Sequence, residues 1–475
     1  MEAKAAALDP AAVRDMIDRV WDREITKELA EYISFPCLSP LFDPDWEANG
    51  HMQKAVEHIA GWCKQRPIEG MKFEVIQLEG RTPVMFIEIP GESDDTVLMY
   101  GHMDKQPEMV GWREDLGPWK PVIEDDKLYG RGGADDGYAA YASLAAVEAV
   151  QKLGGSHQRI VVLIEACEES GSVDLPAYID HLADRIGEVS LVICLDSGAG
   201  DYERLWCTTS LRGMIAGDLK VRVSSEGVHS GDASGIVPSS MRVMRLLLDR
   251  VEDAATGKLL PDCFHVDIPE QRVQQAGDCA ETLGDAVYTV YPFVDGVQPM
   301  LTDRVQLVLN RTWRPTLSYT GMGGLPELAK AGNVLRPFSA FKLSFRLPPT
   351  ADSEACSAEV KKIFESDAPY GAHVSFTADK SANGWNATPL ADWLGEALEK
   401  SSMVHFGNPT AYMGEGGSIP FMGMLGDKFP AAQFLITGVL GPASNAHGPN
   451  EFIHLPTAKK LTACVAHILV AHCQR

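Results

Sequence analysis

Histidine and carboxylate side chains recur in this chain directly after short apolar runs, a pairing that suits a hydrolytic metal centre. His102 and Asp104 stand in Tyr100-Gly101-His102-Met103-Asp104, after the run Thr96-Val97-Leu98-Met99. Asp135 and Asp136 precede an alanine-rich stretch. Glu168 and Glu169 follow Ile160-Val161-Val162-Leu163-Ile164, Asp196 follows Leu191-Val192-Ile193-Cys194-Leu195, and His447 lies far downstream before Gly448-Pro449. Imidazole and carboxylate without thiolate is the donor set of zinc or manganese sites that keep a position open for water. Five such donors suit two cations sharing one carboxylate, so the residues imply a dinuclear metallohydrolase. Each group read alone is more simply a strand-end cap or a surface charge. Apolar strands that repeatedly deliver such residues are costly without a cation to bind.

In open α/β sheets, ligands gather beyond the carboxyl ends of the strands, so strands of one sheet must position these groups. Alternation in Phe73–Ile76 and Val84–Ile89 predicts strands ahead of the buried strand that ends at His102. Helical spacing marks residues 11–35, 52–65 and 137–153. Strand and helix in succession predict an α/β sheet covered by helices. Past Ser210 the pattern changes: residues 214–223, 338–346 and 372–378 read as strands, with helices over 239–251 and 353–364. From about Leu390 the first style resumes, with a helix to Met403, a buried strand Gln433–Ile436 and a terminal helix from Thr457. The division predicted is a catalytic α/β domain of residues 1–210 and 390–475, with an inserted α+β unit of residues 211–389.

A chain of 475 residues exceeds one ordinary core, which fits two domains. Its formal charge of -24 argues against nucleic acid and against anionic membrane surfaces, since nothing resembles a basic stripe. No apolar stretch reaches the length needed to span a bilayer. The segment Met1–Pro10 has no apolar core of a signal peptide. Ten cysteines are scattered without a CxxC pair, which predicts buried free thiols and a cytoplasmic protein.

Five segments in order resemble the M20 family of metallopeptidases, its carnosine-dipeptidase-like branch especially. They are Tyr100 to Asp104, Leu128 to Gly137, Glu165 to Ser172, Gly416 to Pro420 and Ser444 to Glu451, and they span nearly the whole chain. The resemblance implies a zinc-exopeptidase-like catalytic domain and an inserted lid and dimerisation domain. It implies that Asp135 bridges two divalent cations, zinc first with manganese or cobalt as alternatives. His102 and Asp196 complete one site, and Glu169 and His447 the other. Glu168 is then the general base, and Asp104 accepts a bond from the His102 ring and fixes its tautomer. A cis peptide between Asp135 and Asp136 belongs to the same resemblance.

Substrate contacts follow by resemblance too. His229, in Gly227-Val228-His229-Ser230-Gly231, assists the oxyanion and reaches a partner subunit's site; the bland alternative is a turn histidine. Arg346 closes an alternating strand and matches the arginine that takes the substrate's terminal carboxylate, against the plainer reading of a surface ion pair. Asn333 stands in a neighbouring polar position where close relatives carry threonine. Gly417 and Ser418 offer an N–H and a hydroxyl to the same carboxylate, and Glu415 meets a substrate amine or is only a loop carboxylate. Departures from the pattern are Lys105, where a small or apolar residue is usual, Gly137 in place of a lysine, and residues 379–385, which lack a histidine. The expected activity is amide hydrolysis in dipeptides or short peptides with a free C-terminal carboxylate, by a homodimer. An N-acyl amino acid amidohydrolase and a non-catalytic binding or assembly protein are the rivals.

Overall fold

The computed structural model describes residues 8–475, so residues 1–7 of the segment read for a signal peptide lie outside the described residues. The chain begins with helix α1 (Pro10–Val20), whose first turn is capped by Asp9 accepting from the Ala11 N–H at 3.1 Å. A wider π turn, Trp21–Ile25, leads into α2 (Thr26–Ile33), where the sequence predicts one unbroken helix. The apolar stripe explains the interruption. Val13, Ile17, Trp21, Ile25 and Leu29 recur every four residues, a spacing that drifts by about 40° per step on an α-helix. The extra residue in the π turn resets that phase, and all five stay fully buried.

Next come α3 (His51–Cys63), β1 (Lys72–Ile76), β2 (Val84–Ile89) and β3 (Thr96–His102). Helix α4 (Tyr138–Lys152), β4 (Arg159–Glu165) and β5 (Val189–Cys194) complete this stretch. The chain then enters a second unit through β6 (Gly213–Arg222), α5 (Ser240–Leu248), β7 (Thr316–Gly323), β8 (Phe338–Leu347), α6 (Ser353–Glu365) and β9 (His373–Ala382). It returns through α7 (Asp392–His405), β10 (Gln433–Ile436) and α8 (Leu455–Gln474). The compact units are the described residues to Thr208 with Ala387–Met413 and Met424–Arg475, and Thr209–Asn386 with Gly414–Gly423. The excursion of Gly414–Gly423 into the second unit differs from the sequence division, which leaves that segment in the outer domain.

In the first unit the sheet runs β1-β2-β4-β3-β5-β10, with β4, β3, β5 and β10 parallel and β1 and β2 antiparallel. Burial along β3 is complete, as a central parallel strand requires. Helix α4 is buried from Tyr138 to Val150, its alanines allowing close approach, and it packs against α8. Because β3, β4 and β5 are parallel neighbours, His102, Glu165 and Cys194 end side by side at one edge of the sheet.

The second unit is an antiparallel sheet in the order β7-β8-β6-β9. Its core joins Ile215, Leu219, Leu343 and Phe345 from the sheet to Met244, Leu247, Val360 and Phe364 from α5 and α6. Strict alternation of buried and half-buried residues in β8 reflects one covered face. Two helices, Glu270–Leu283 and Arg304–Thr312, were not expected from the sequence. No helix among the described residues is long and apolar enough to cross a membrane. All ten cysteines are free thiols.

Candidate metal centre

The edge formed by β3, β4 and β5 gathers the histidine and carboxylate groups of the first unit. His102 is the last residue of β3 and is buried, with Asp135, Glu169 and Asp196 buried around it and Glu168 half-buried. The Asp135 carboxylate lies between two imidazoles: Oδ1 is 3.3 Å from His102 Nε2 and Oδ2 is 3.0 Å from His447 Nε2. Asp196 Oδ2 stands 3.7 Å from His102 Nε2, and Glu169 Oε2 stands 3.3 Å from His447 Nε2. Potential ligand atoms of His102, Glu168 and Asp196 lie within 4.8 Å of one another, as do those of His102, Asp135 and Glu169.

The neighbouring elements hold these groups rigidly. The Asp104 carboxylate accepts from the backbone N–H groups of Glu168 (3.1 Å) and Glu169 (2.9 Å), which fixes the turn that follows β4. His102 Nδ1 is 3.1 Å from the Asp104 backbone carbonyl, with the nearest Asp104 carboxylate oxygen at 3.5 Å. Both the carbonyl and the carboxylate of Asp104 thus lie against the ring nitrogen, the carbonyl nearer. Asp136 Oδ2 accepts from the His102 N–H at 3.3 Å. A side chain at Gly101 would put its Cβ 2.8 Å from that same Asp136 oxygen and 2.5 Å from the Ala139 Cβ, so only glycine fits there. The Asp135–Asp136 peptide is cis, as the resemblance implies. Behind it, Arg131 Nη1 donates to Glu451 in a fully buried ion pair, and Glu451 accepts from the Gly132 N–H at 2.8 Å.

Electrostatics follow from crowding carboxylates out of water. Burial pushes Glu168 up to about 7, with Asp104 and Asp135 adding to the rise against the pull of His102. Burial likewise drives Glu169, Asp196 and Asp136 well above the ordinary carboxylate range. Burial also works on Asp135, but hydrogen bonds from His102 and His447 outweigh it and hold its carboxyl far below that range. Burial opposes the His447 imidazolium, yet the Asp135 bond and the Glu169 charge raise it to about 9. So many carboxylates around two imidazoles leave negative charge that protons alone balance, which is the condition a divalent cation relieves. The donor set therefore suits divalent cations.

The other sequence-derived residues lie in the second unit. Arg346 is held largely buried, and burial lowers its pKa; no carboxylate among the described ion pairs faces it. Its Nη1 donates to Ser418 Oγ at 3.3 Å, and that hydroxyl donates to the Arg212 carbonyl. Arg212 binds the same loop: its N–H donates to the Gly417 carbonyl at 3.1 Å and its Nε to the Gly416 carbonyl at 3.1 Å. Glu415 Oε1 has no hydrogen-bond partner among the described residues. His229 is exposed; its Nδ1 accepts from the Gly231 N–H at 3.1 Å and lies 3.8 Å from Asp232 Oδ2. Asn333 sits beside it, its carbonyl accepting from the Ser230 N–H at 2.9 Å. Sequence reasoning missed Arg212 and Gln106, the latter donating from Nε2 to Glu169 Oε2 at 2.6 Å. Their positions, one after a domain boundary and one after the His-x-Asp motif, are the signals that point to them.

Fold and site together define a class. The sequence profile of Peptidase family M20/M25/M40 matches residues 98–471, and the chain belongs to that family. Among curated relatives, a cysteinylglycine-S-conjugate dipeptidase of Corynebacterium striatum is 26% identical over 98% of this chain and 99% of its own. A Cys-Gly metallodipeptidase of Saccharomyces cerevisiae is 28% identical over 76% of this chain and 75% of its own. A Beta-Ala-His dipeptidase of Homo sapiens is 26% identical over 78% and 74%. The fold matches that of human carnosine dipeptidase 1 with a TM-score of 0.76, at 21% identity over 98% and 99% of the two chains.

Proposed function

We propose that this chain is a dinuclear metal-dependent hydrolase that cleaves dipeptides or short peptides bearing a free C-terminal carboxylate. The observation that carries the reading is the Asp135 carboxylate facing His102 on one oxygen and His447 on the other. In this reading Asp135 is shared by two cations, His102 and Asp196 complete one site, and Glu169 and His447 the other. When bound, the cations lower the pKa of a water and polarise the scissile carbonyl. Zinc is the first candidate, and manganese or cobalt serves the same donors.

The protein's own residues do the rest. Glu168, raised towards neutrality by burial, takes a proton from the attacking water and passes it to the leaving amine. Asp104 holds the two glutamates and the His102 ring in place through its carboxylate and carbonyl. Arg346, with no acidic partner among the described residues, binds the substrate carboxylate beside Ser418 and the Gly417 N–H, while Glu415 receives a substrate amine. The exposed His229 and its neighbour Asn333 serve the oxyanion and substrate of a partner subunit, in a homodimer formed through the second unit. Exposed apolar side chains on that unit, Val294, Met300 and Leu328 among them, support such a contact. Free thiols are compatible with a cytoplasmic setting.

The test is a substrate panel with metal-stripped protein reloaded with zinc, manganese or cobalt. Dipeptides are expected to turn over only after loading, and N-acetyl amino acids far more slowly. Turnover of N-acyl substrates alone would remove the peptidase assignment. Loading without any turnover would favour a binding protein.

A further inference from the structure

The proposal above makes no use of the two residues that follow Asp104. Lys105 is fully buried, and its ammonium donates to three backbone carbonyls at the end of α2: Tyr32 at 2.9 Å, Ile33 at 3.3 Å and Phe35 at 2.8 Å. Carbonyls in the last turn of a helix have no partner within it, so the side chain pins the loop after His102 to that helix end. The main chain reinforces the link, since the Ser39 N–H donates to the Lys105 carbonyl at 3.0 Å.

The stem of Lys105 has a second neighbour. A Cβ at Gly132, whose φ is +84°, would meet Lys105 Cε at 2.6 Å, with Cδ and Cγ both at 2.8 Å. Gly132 opens the turn that carries Asp135, so one side chain packs against both ligand-bearing loops. Gln106 then bonds Glu169 Oε2 at 2.6 Å, the oxygen that faces His447. Burying an ammonium is costly, and packing alone is served better by an apolar residue.

We propose that Lys105 and Gln106 are positioning residues of the metal centre. Lys105 sets the spacing between the loops of His102 and Asp135, and Gln106 sets the direction of the Glu169 carboxylate. The inference rests on the metal reading of this cluster, and it assigns a role to Lys105, the departure singled out in the sequence.

Calorimetric titration of metal-stripped protein with manganese, with zinc as a second probe, tests it in wild type, Lys105→Met, Gln106→Leu and Leu398→Ala. Leu398 lies in the buried core on α7 and supplies a loss of Tm without touching these loops. Lys105→Met is expected to weaken both ions and Gln106→Leu one of them, each by about tenfold or more, as for other partners of metal ligands. Excess manganese is expected to restore kcat in both. Wild-type affinity in both variants, or equal weakening in Leu398→Ala, overturns the positioning role and leaves the metal reading standing. A wild type that takes up neither metal sinks the metal reading, and the inference with it. Gln106 is only half-buried, so its variant remains decisive if Lys105→Met does not fold.

Discussion

In the first unit, each group of the centre is tied to another: Asp135 to two imidazoles, Asp104 to two backbone N–H groups, Glu169 to Gln106. In the second, the exposed His229 ring accepts from the N–H of its own turn, and Arg346 donates to the Ser418 hydroxyl. The difference separates two kinds of preparation. Groups that must hold cations are set by strand ends and buried hydrogen bonds before anything binds. Groups proposed to meet a substrate or a second subunit keep free valence, which the incoming molecule would satisfy.

The largest effect that would sharpen this contrast is Glu168→Gln. Turnover is expected to fall by about a thousandfold to ten-thousandfold, with metal content unchanged. Lost metal in that variant would make Glu168 a ligand and remove it from proton transfer. Next comes the frame behind the centre: Arg131→Met strands Glu451 in the interior, where burial already pushes its pKa up to about 7. A loss of about 3–5 kcal/mol is expected from denaturant unfolding, as for other buried pairs broken on one side. A smaller loss would mean that the frame tolerates an unpaired glutamate. Arg346→Met tests the second unit: KM for a dipeptide should rise about a hundredfold with little change in stability. A large drop in Tm would recast Arg346 as a structural residue.

Acid stability gives the smallest expected effect. Burial, with His467 adding to it, lowers His405 to about 4, and burial with Arg475 lowers His472 to about 4. An unfolded histidine titrates near 6.5, so between pH 6.5 and 4 these two side chains bind more protons in the unfolded chain than in the folded one. The contribution of these two histidines is therefore full above pH 6.5 and falls as pH drops, by about 1 kcal/mol each at pH 5 after allowance for partial exposure. His405→Phe should flatten that decline in thermal melts taken from pH 7 to 5. An unchanged slope would place the acid sensitivity elsewhere, and not on Glu168, Glu169 or Asp196, whose raised carboxyls gain protons on folding and act in the opposite direction.

How much of this was legible in the sequence varied with burial. Strands β2 and β10 match their expected limits because apolar runs bounded by turn residues leave little choice. The candidacy of His102, Glu168, Glu169 and Asp196 was legible for a related reason, since charged groups after buried strands need an explanation, whereas Asp135 and His447 do not directly follow such a strand and take their places through the resemblance. Gln106 was passed over as a partner of Glu169, because apart from its place after the His-x-Asp motif an amide there looks like any loop residue. Strand β7 was missed since its exposed stretch from Ser318 to Met322 shows no alternation. The π turn in the first helix was missed because a four-residue repeat reads as one helix until its drift is counted. Assignment of Gly414–Gly423 to the second unit depends on long-range packing that no local pattern records.

Anomalous diffraction from crystals loaded with manganese tests the central claim most directly. Two peaks are expected about 3.5–4 Å apart, one on each side of the Asp135 carboxylate, the first beside His102 and Asp196 and the second beside His447 and Glu169. A single peak, or ions bound away from Asp135, would contradict the account.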